Sequence, residues 1–215
     1  MKFDAVLFDL DGTLLDTIGL WIRAYLHTLQ NAGVHMDVEE FLLTTYTQNR
    51  HFEDVLAYYG LDPSRGNELR VKRDALYTQF LASEPLWMEG AEEVLRTTTK
   101  AYPTGIVTGS HLHYIEAIEK QIPLRTLVPV LVTCDEVKGR NKPHPDGLLL
   151  ATRRLRVPPK QCLYVGDQSF DVEAAKAAGM TSCLYWNEYT PALAGQEADM
   201  NIESLGEISS LLGLH

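Results

Sequence analysis

The sequence predicts an α/β fold: a parallel, doubly wound sheet with a block of helices inserted after its first strand. Three observations carry that reading. The apolar run Ala5-Val6-Leu7, followed by Phe8-Asp9-Leu10-Asp11-Gly12-Thr13, reads as a buried strand ending in two carboxylates and a glycine. From about Leu15 to Ala82 the spacing is helical, with no convincing strand. Beyond Ser83-Glu84-Pro85, strands and helices alternate, the pattern of parallel strands joined by right-handed crossovers.

In the inserted block, Ile18, Trp21, Ile22, Tyr25, Leu26 and Leu29 follow helical spacing, and Gly33 is a plausible stop. Asp37 with Glu40 resembles a capping box before Phe41-Leu42-Leu43. Thr44 to Asn49 is a polar break. Phe52 to Tyr59 is helical again and closes at Gly60. Asp62-Pro63 then offers an N-cap and a helix-starting proline for a helix to about Leu81. In the second half, helices are expected over 89–100, 111–120, 145–156, 170–178 and 204–212. Strands are expected over 104–108, 128–133, 162–165 and 181–185, with a short piece near Met200-Asn201-Ile202. Pro129 weakens the 128–133 strand, because proline cannot donate to a ladder.

The 215 residues suffice for one or two domains with a sizeable core. With 19 Lys and Arg against 29 Asp and Glu, the net charge is −10. Such a chain, without a basic cluster, is poorly suited to nucleic acid or anionic membranes. No apolar run approaches a membrane span, no signal-peptide pattern opens the chain, and three widely spaced cysteines read as reduced thiols. A cytoplasmic protein is expected, monomeric by default, with oligomers left open. An anionic substrate must then meet a local cation or a metal.

Parallel strands bring their C-terminal tips to one edge, where open α/β sheets bind ligands. The tips carry Asp9 and Asp11, then Thr108-Gly109-Ser110, then Gly166-Asp167 with Asp171 four residues on; Lys142 lies between the last two. Carboxylates for a hard cation, a hydroxyl and backbone N–H groups for phosphate oxygens, and one lysine make a phosphoryl-transfer inventory. Asp9 and Asp11 taken alone could be no more than an Asx turn with Gly12 at positive φ.

Asp9-Leu10-Asp11-Gly12-Thr13, Thr108-Gly109-Ser110, Lys142-Pro143 and Gly166-Asp167-Gln168-Ser169-Phe170-Asp171, in that order, resemble the haloacid dehalogenase-like hydrolase superfamily. The resemblance spans essentially the whole chain. It is nearest to the phosphoglycolate phosphatase and beta-phosphoglucomutase-like members. It implies a Rossmann-like parallel α/β core, residues 1–15 and 84–215, with an inserted α-helical cap subdomain, residues 16–83. Leu14 to Thr17 and Ser83 to Leu86 would form the hinge. It implies that Asp9 is the nucleophile, forming an aspartyl phosphate, and that Asp11 is the general acid and base. Mg²⁺ would be held by Asp9, the Asp11 backbone carbonyl and Asp167, with Asp171 as a partner one layer out. Thr108 and the Gly109 N–H would hold phosphate oxygens, and Lys142 would neutralise charge and orient Asp9. Family members that displace halide lack an acid at position 11, so Asp11 argues against dehalogenation. Gln168 departs from the serine frequent there, which puts the surroundings of Asp167 in question.

The function implied is Mg²⁺-dependent hydrolysis of a small phosphate monoester such as phosphoglycolate, a sugar phosphate or a nucleoside monophosphate. One alternative is a sugar phosphomutase using the same residues, distinguished by isomer rather than inorganic phosphate as product. Another is a non-catalytic phospholigand-binding or regulatory protein, for which Asp11 would have no use. Arg50, in the polar break, is a candidate for the non-reacting end of an anionic substrate, or else an exposed loop arginine. Lys138 and Arg140 are runners-up to Lys142. His111 and His113 have no third imidazole or thiolate in register and read as solvated residues at a helix start. His111 keeps a possible minor substrate role. Trp21 and Tyr25 read as core, Tyr46 and Trp87 as candidate pocket walls, and Trp186 to Tyr189 as a segment bordering the same edge. Cys134 and Cys162 read as inert core thiols.

Overall fold

The structure, a computed structural model, describes residues 3–46 and 50–214. The chain divides into two compact units, Met1–Asp16 with Pro85–His215, and Thr17–Glu84. The first is built on β1 (Ala5–Phe8), the second on α1 (Ile18–Asn31), α2 (Val38–Phe41), α3 (Phe52–Tyr58) and α4 (Gly66–Leu81). The first unit continues with α5 (Ala91–Ala101), β2 (Thr104–Val107), α6 (Leu112–Ile118), α7 (Leu124–Leu127), β3 (Val130–Val132) and α8 (Asp146–Leu155). It ends with β4 (Cys162–Gly166), α9 (Ser169–Ala178), β5 (Thr181–Tyr185), β6 (Met200–Ile202) and α10 (Gly206–Leu212).

Among the described residues, six strands form one sheet in the order β3-β2-β1-β4-β5-β6, and every pairing in it is parallel. Strand order therefore reverses beside β1, which is fully buried. A crevice opens outside the strand tips at such a reversal. Ala5 and Leu7 of β1, Val107 of β2, Val130 and Val132 of β3, and Cys162 and Tyr164 of β4 share one core cluster with Leu148 and Ala151 of α8 and Ala174, Ala175 and Ala178 of α9. Alternation along the strands sends Val6 and Phe8 to the other face. Gly105 is closely packed: a Cβ there would stand 2.8 Å from Leu7 Cδ2 and 3.3 Å from the Val130 carbonyl oxygen.

In the helical unit, α1 packs along α4. An aromatic cluster fills its middle, with Tyr25 stacked on Phe52 at 4.0 Å and Trp21 5.1 Å from Tyr25 and 5.8 Å from Phe41. Trp21 and Tyr25 are thus packing residues. The Asp37 carboxylate accepts the Glu40 N–H at 2.8 Å, but the Glu40 side chain accepts from the Tyr59 hydroxyl instead of closing a box. A π-helical turn, Leu42–Tyr46, extends α2 into the expected polar break. Residues 47–49 of that break, and the Tyr46 side chain, lie outside the described residues. Asp62 caps a 3₁₀ turn, Pro63–Arg65, before α4 begins.

Two differences from expectation stand out. The strand expected over 128–133 is shortened to β3, and α7 occupies the chain just before it. A single turn such as Leu124-Arg125-Thr126-Leu127 is too short to show periodicity. The segment after β3 folds into a 3₁₀ turn, Cys134–Val137. Among the described residues, no helix is long and apolar enough to cross a membrane.

Candidate active site

Asp9, Asp11, Asp167 and Asp171, together with Lys142, belong to the α/β unit. Asp9 directly follows β1, and its N–H donates to the Val165 carbonyl of the neighbouring β4 at 2.8 Å. That bond extends the β1–β4 ladder and holds Asp9 at the strand-order reversal. Lys142 approaches from the loop before α8. Its ammonium donates to Asp9 Oδ1 at 2.6 Å, to Asp171 Oδ1 at 2.6 Å and to the Tyr164 hydroxyl oxygen at 3.0 Å. Three acceptors match the three donors of an ammonium. The Tyr164 hydroxyl in turn donates to Asp171 Oδ1 at 3.0 Å. Asp171, expected one layer out, therefore touches Lys142 directly. Its other oxygen accepts the Gln168 N–H at 3.0 Å, which caps α9.

Asp167 follows β4 and is fully buried. Its Oδ1 accepts from the Thr13 hydroxyl at 3.0 Å, and its Oδ2 from the Gln168 amide at 2.6 Å and the Asn187 amide at 3.1 Å. Gln168, where serine is frequent, supplies a donor to this carboxylate. Asn187 also donates to the Gly12 carbonyl at 2.7 Å, tying the loop after β5 to the turn after β1. Gly12 has φ +82°, a conformation that favours glycine.

Asp11 Oδ2 accepts from the Thr108 hydroxyl at 2.7 Å and the Ser110 hydroxyl at 2.8 Å. Thr108 Oγ1 also accepts the Ser110 N–H at 2.9 Å, so the turn after β2 is braced toward Asp11. A Cβ at Gly109 would meet nothing within 4 Å.

Charge in this cluster is unbalanced. Carboxylate oxygens of the buried Asp9, Asp167 and Asp171 lie within 4.8 Å of one another. Lys142 is the one cation among their hydrogen-bond partners among the described residues. Burial raises the Asp9 carboxyl well above the usual range; Lys142 opposes this, while Asp171, Asp167 and Asp11 add to it. Burial, then Asp171, push Asp167 up to about 6, against the donors from Gln168, Asn187 and Thr13. Burial works against the Lys142 charge, but Asp171 and Asp9 outweigh it and hold the ammonium well above its usual value. A hard divalent cation takes such oxygen donors and would offset the excess charge, so the residues present fit one.

The remaining candidates make none of these contacts. Arg50 belongs to the helical unit, where its guanidinium lies 5.5 Å from the centre of the Tyr58 ring. Arg140 is exposed and paired with Asp146 at 2.5 Å, and Lys138 is exposed at φ +50°. Cys162 and Cys183 are buried thiols. Cys134 is buried too, with its sulfur 3.1 Å from His111 Nδ1. Sequence reasoning does not name Tyr164, Ser110 or the Thr13 hydroxyl as partners of the acidic residues. Thr13 and Ser110 stand inside the motifs and carried that signal; Tyr164 sits in an apolar run and carried none.

Comparison with known proteins identifies the family. The profile of the haloacid dehalogenase-like hydrolases matches residues 6–185. The pyrophosphatase PpaX of Anoxybacillus flavithermus is 30% identical over 234 residues, covering 100% of this chain and 99% of its own. The fructose-1-phosphate phosphatase YqaB of Escherichia coli is 30% identical over 181 residues, covering 83% of this chain and 94% of its own. The crystal structure of CbbY from Rhodobacter sphaeroides in complex with phosphate superposes with a TM-score of 0.80 at 26% identity, covering 99% of this chain and 100% of that one. The chain belongs to the haloacid dehalogenase-like hydrolases and stands among that family's phosphatases.

Proposed function

We propose that this hydrolase is a Mg²⁺-dependent phosphatase that cleaves a small phosphate monoester through an aspartyl phosphate on Asp9. The observation that carries the reading is the 2.6 Å contact of the Lys142 ammonium with Asp9 inside a buried carboxylate cluster. A phosphate dianion repels an attacking carboxylate, and a fixed ammonium weakens that repulsion.

In the first step an Asp9 oxygen bonds to phosphorus as the bond to the leaving oxygen breaks, and Asp11 gives that oxygen its proton. In the second, Asp11 takes a proton from a water whose oxygen attacks the phosphoryl group, releasing phosphate and restoring Asp9. Thr108 and Ser110 hold the Asp11 carboxylate for this work. Proton transfer of this kind contributes typically ~10²–10⁴-fold. The Gly109 N–H is assigned to a phosphate oxygen, and so is Thr108, whose hydroxyl proton would turn from Asp11 to the phosphoryl group. Asp9, Asp167 and the Asp11 backbone carbonyl would hold Mg²⁺, which supplies charge neutralisation at the phosphoryl oxygens. The helical unit is read as the cap that selects the leaving group, with Arg50 as its candidate contact, and the cytoplasm as the site of action.

Relatives named for pyrophosphate and fructose 1-phosphate support a small, soluble phosphate compound as substrate. The test is a panel of phosphorylated metabolites assayed for inorganic phosphate with Mg²⁺ and with chelator. Release that chelator abolishes and Mg²⁺ restores supports the reading. Isomerised sugar phosphate without phosphate release would replace hydrolysis by mutase chemistry, and inertness toward every phosphate ester would overturn it.

A further inference from the structure

A second group of metal-ligand side chains stands apart from the carboxylate cluster, and it is chemically different. His111 opens α6 after the tip of β2, while Cys134 and Asp135 follow β3. β2 and β3 are parallel neighbours, with Val107 opposite Val132, so their outgoing loops leave the sheet side by side. The Cys134 N–H donates to the Ser110 carbonyl at 3.3 Å and joins the two loops. His111 Nδ1 lies 2.8 Å from Asp135 Oδ1 and 3.1 Å from Cys134 Sγ, and the three ligand atoms lie within 4.8 Å of one another.

We infer that His111, Cys134 and Asp135 form a binding site for a borderline transition-metal ion of the Zn²⁺ type. Imidazole, thiol and carboxylate together select such an ion over Mg²⁺, which prefers oxygen alone. Tetrahedral zinc with bonds of about 2.0–2.3 Å sets these ligand atoms roughly 3.4–3.5 Å apart. The two spacings from His111 Nδ1 reach that by opening about 0.5 Å. The carboxylate is already oriented: Asp135 Oδ2 accepts the Leu112 N–H at 2.7 Å, which leaves Oδ1 toward the histidine. Partners of this kind fix a ligand's direction and strengthen the site. The His111 and Asp135 side chains are 55% and 45% exposed, so an ion and a completing water enter from solvent.

Without metal, burial and the nearby Asp135 raise the Cys134 thiol to about 11. Coordination forms the metal–sulfur bond and releases the thiol proton to solvent. An ion here clasps the loop that carries Ser110, the Asp11 partner, to the end of β3.

The test uses Co²⁺ as a spectroscopic stand-in, titrated into the full-length protein in excess Mg²⁺. The expected result is a thiolate-to-cobalt charge-transfer band that Zn²⁺ displaces. Cys134→Ser should abolish the band, and His111→Ala should weaken binding at least about tenfold. Asp9→Asn should leave the band unchanged, which separates this site from the carboxylate cluster. His111 is exposed, so that variant remains informative should Cys134→Ser fold poorly. Absence of the band in the wild-type protein, or its survival in Cys134→Ser, would overturn the inference.

Discussion

Lys142 Nζ lies 2.6 Å from Asp9 Oδ1, with both side chains almost wholly buried at 6% and 5% exposure. A buried pair is strongly dependent on both partners, because removing one leaves the other uncompensated. Lys142→Met should lower stability by about 3–5 kcal/mol in urea unfolding. Phosphate release should fall on the order of 10²–10³-fold. Added Mg²⁺ should restore part of the lost stability, since the remaining carboxylates still attract a cation.

Gly166 tests how tightly Asp171 is placed. A Cβ at Gly166 would stand 2.4 Å from Asp171 Cγ, so any side chain there displaces the carboxylate that holds Lys142. Gly166→Ala should cost typically 1–3 kcal/mol as an overpacked site. It should also lower kcat more than KM rises, which a purely structural lesion would not single out.

Asn187 links the loop after β5 to both Asp167 and Gly12. Asn187→Ala should weaken Mg²⁺ binding about 10–100-fold, as loss of a group that orients a ligand does. Activity against Mg²⁺ concentration measures it: the half-saturating concentration should rise while the maximal rate falls less.

Asp199 is one of several carboxylates that contribute to acid sensitivity. Asp199 accepts the Ser182 N–H and the Ser182 hydroxyl, each at 2.8 Å, and these bonds hold its carboxyl below the usual range. A depressed folded-state value stabilises above the unfolded value of about 3.9 and is lost as pH falls through the folded one. Asp199 is exposed, so solvent screening keeps the contribution to at most about 1 kcal/mol. Asp199→Asn should lower Tm by at most about 2–4 °C at pH 7. The difference should shrink toward zero as pH falls through the folded-state value.

The parts of the site that lie at strand tips are legible in the sequence. Asp9 and Asp167 each close an apolar run, and a carboxylate at that place has few structural uses. Lys142 is legible only beside them, as the lysine of a proline-containing loop. Partners that depend on three-dimensional register are not legible. Tyr164 sits in the run Cys162-Leu163-Tyr164-Val165 and reads as core, yet its hydroxyl meets a lysine 22 positions earlier. Asn187 follows a strand without a motif of its own, and only the β4–β5 pairing brings it to Asp167. The His111 and Cys134 side chains are 23 positions apart and meet through the β2–β3 pairing. α7 and the π-helical turn are too short for periodicity to reveal.

Central to the account is the division of labour between Asp9 as nucleophile and Asp11 as proton carrier. Its most direct test is phosphate release by Asp9→Asn, with far-ultraviolet circular dichroism and thermal unfolding confirming that the variant is folded. Turnover should fall at least about 10³-fold, with no phosphoryl group on the peptide containing residue 9. A folded Asp9→Asn protein that turns over within about tenfold of wild type would contradict it.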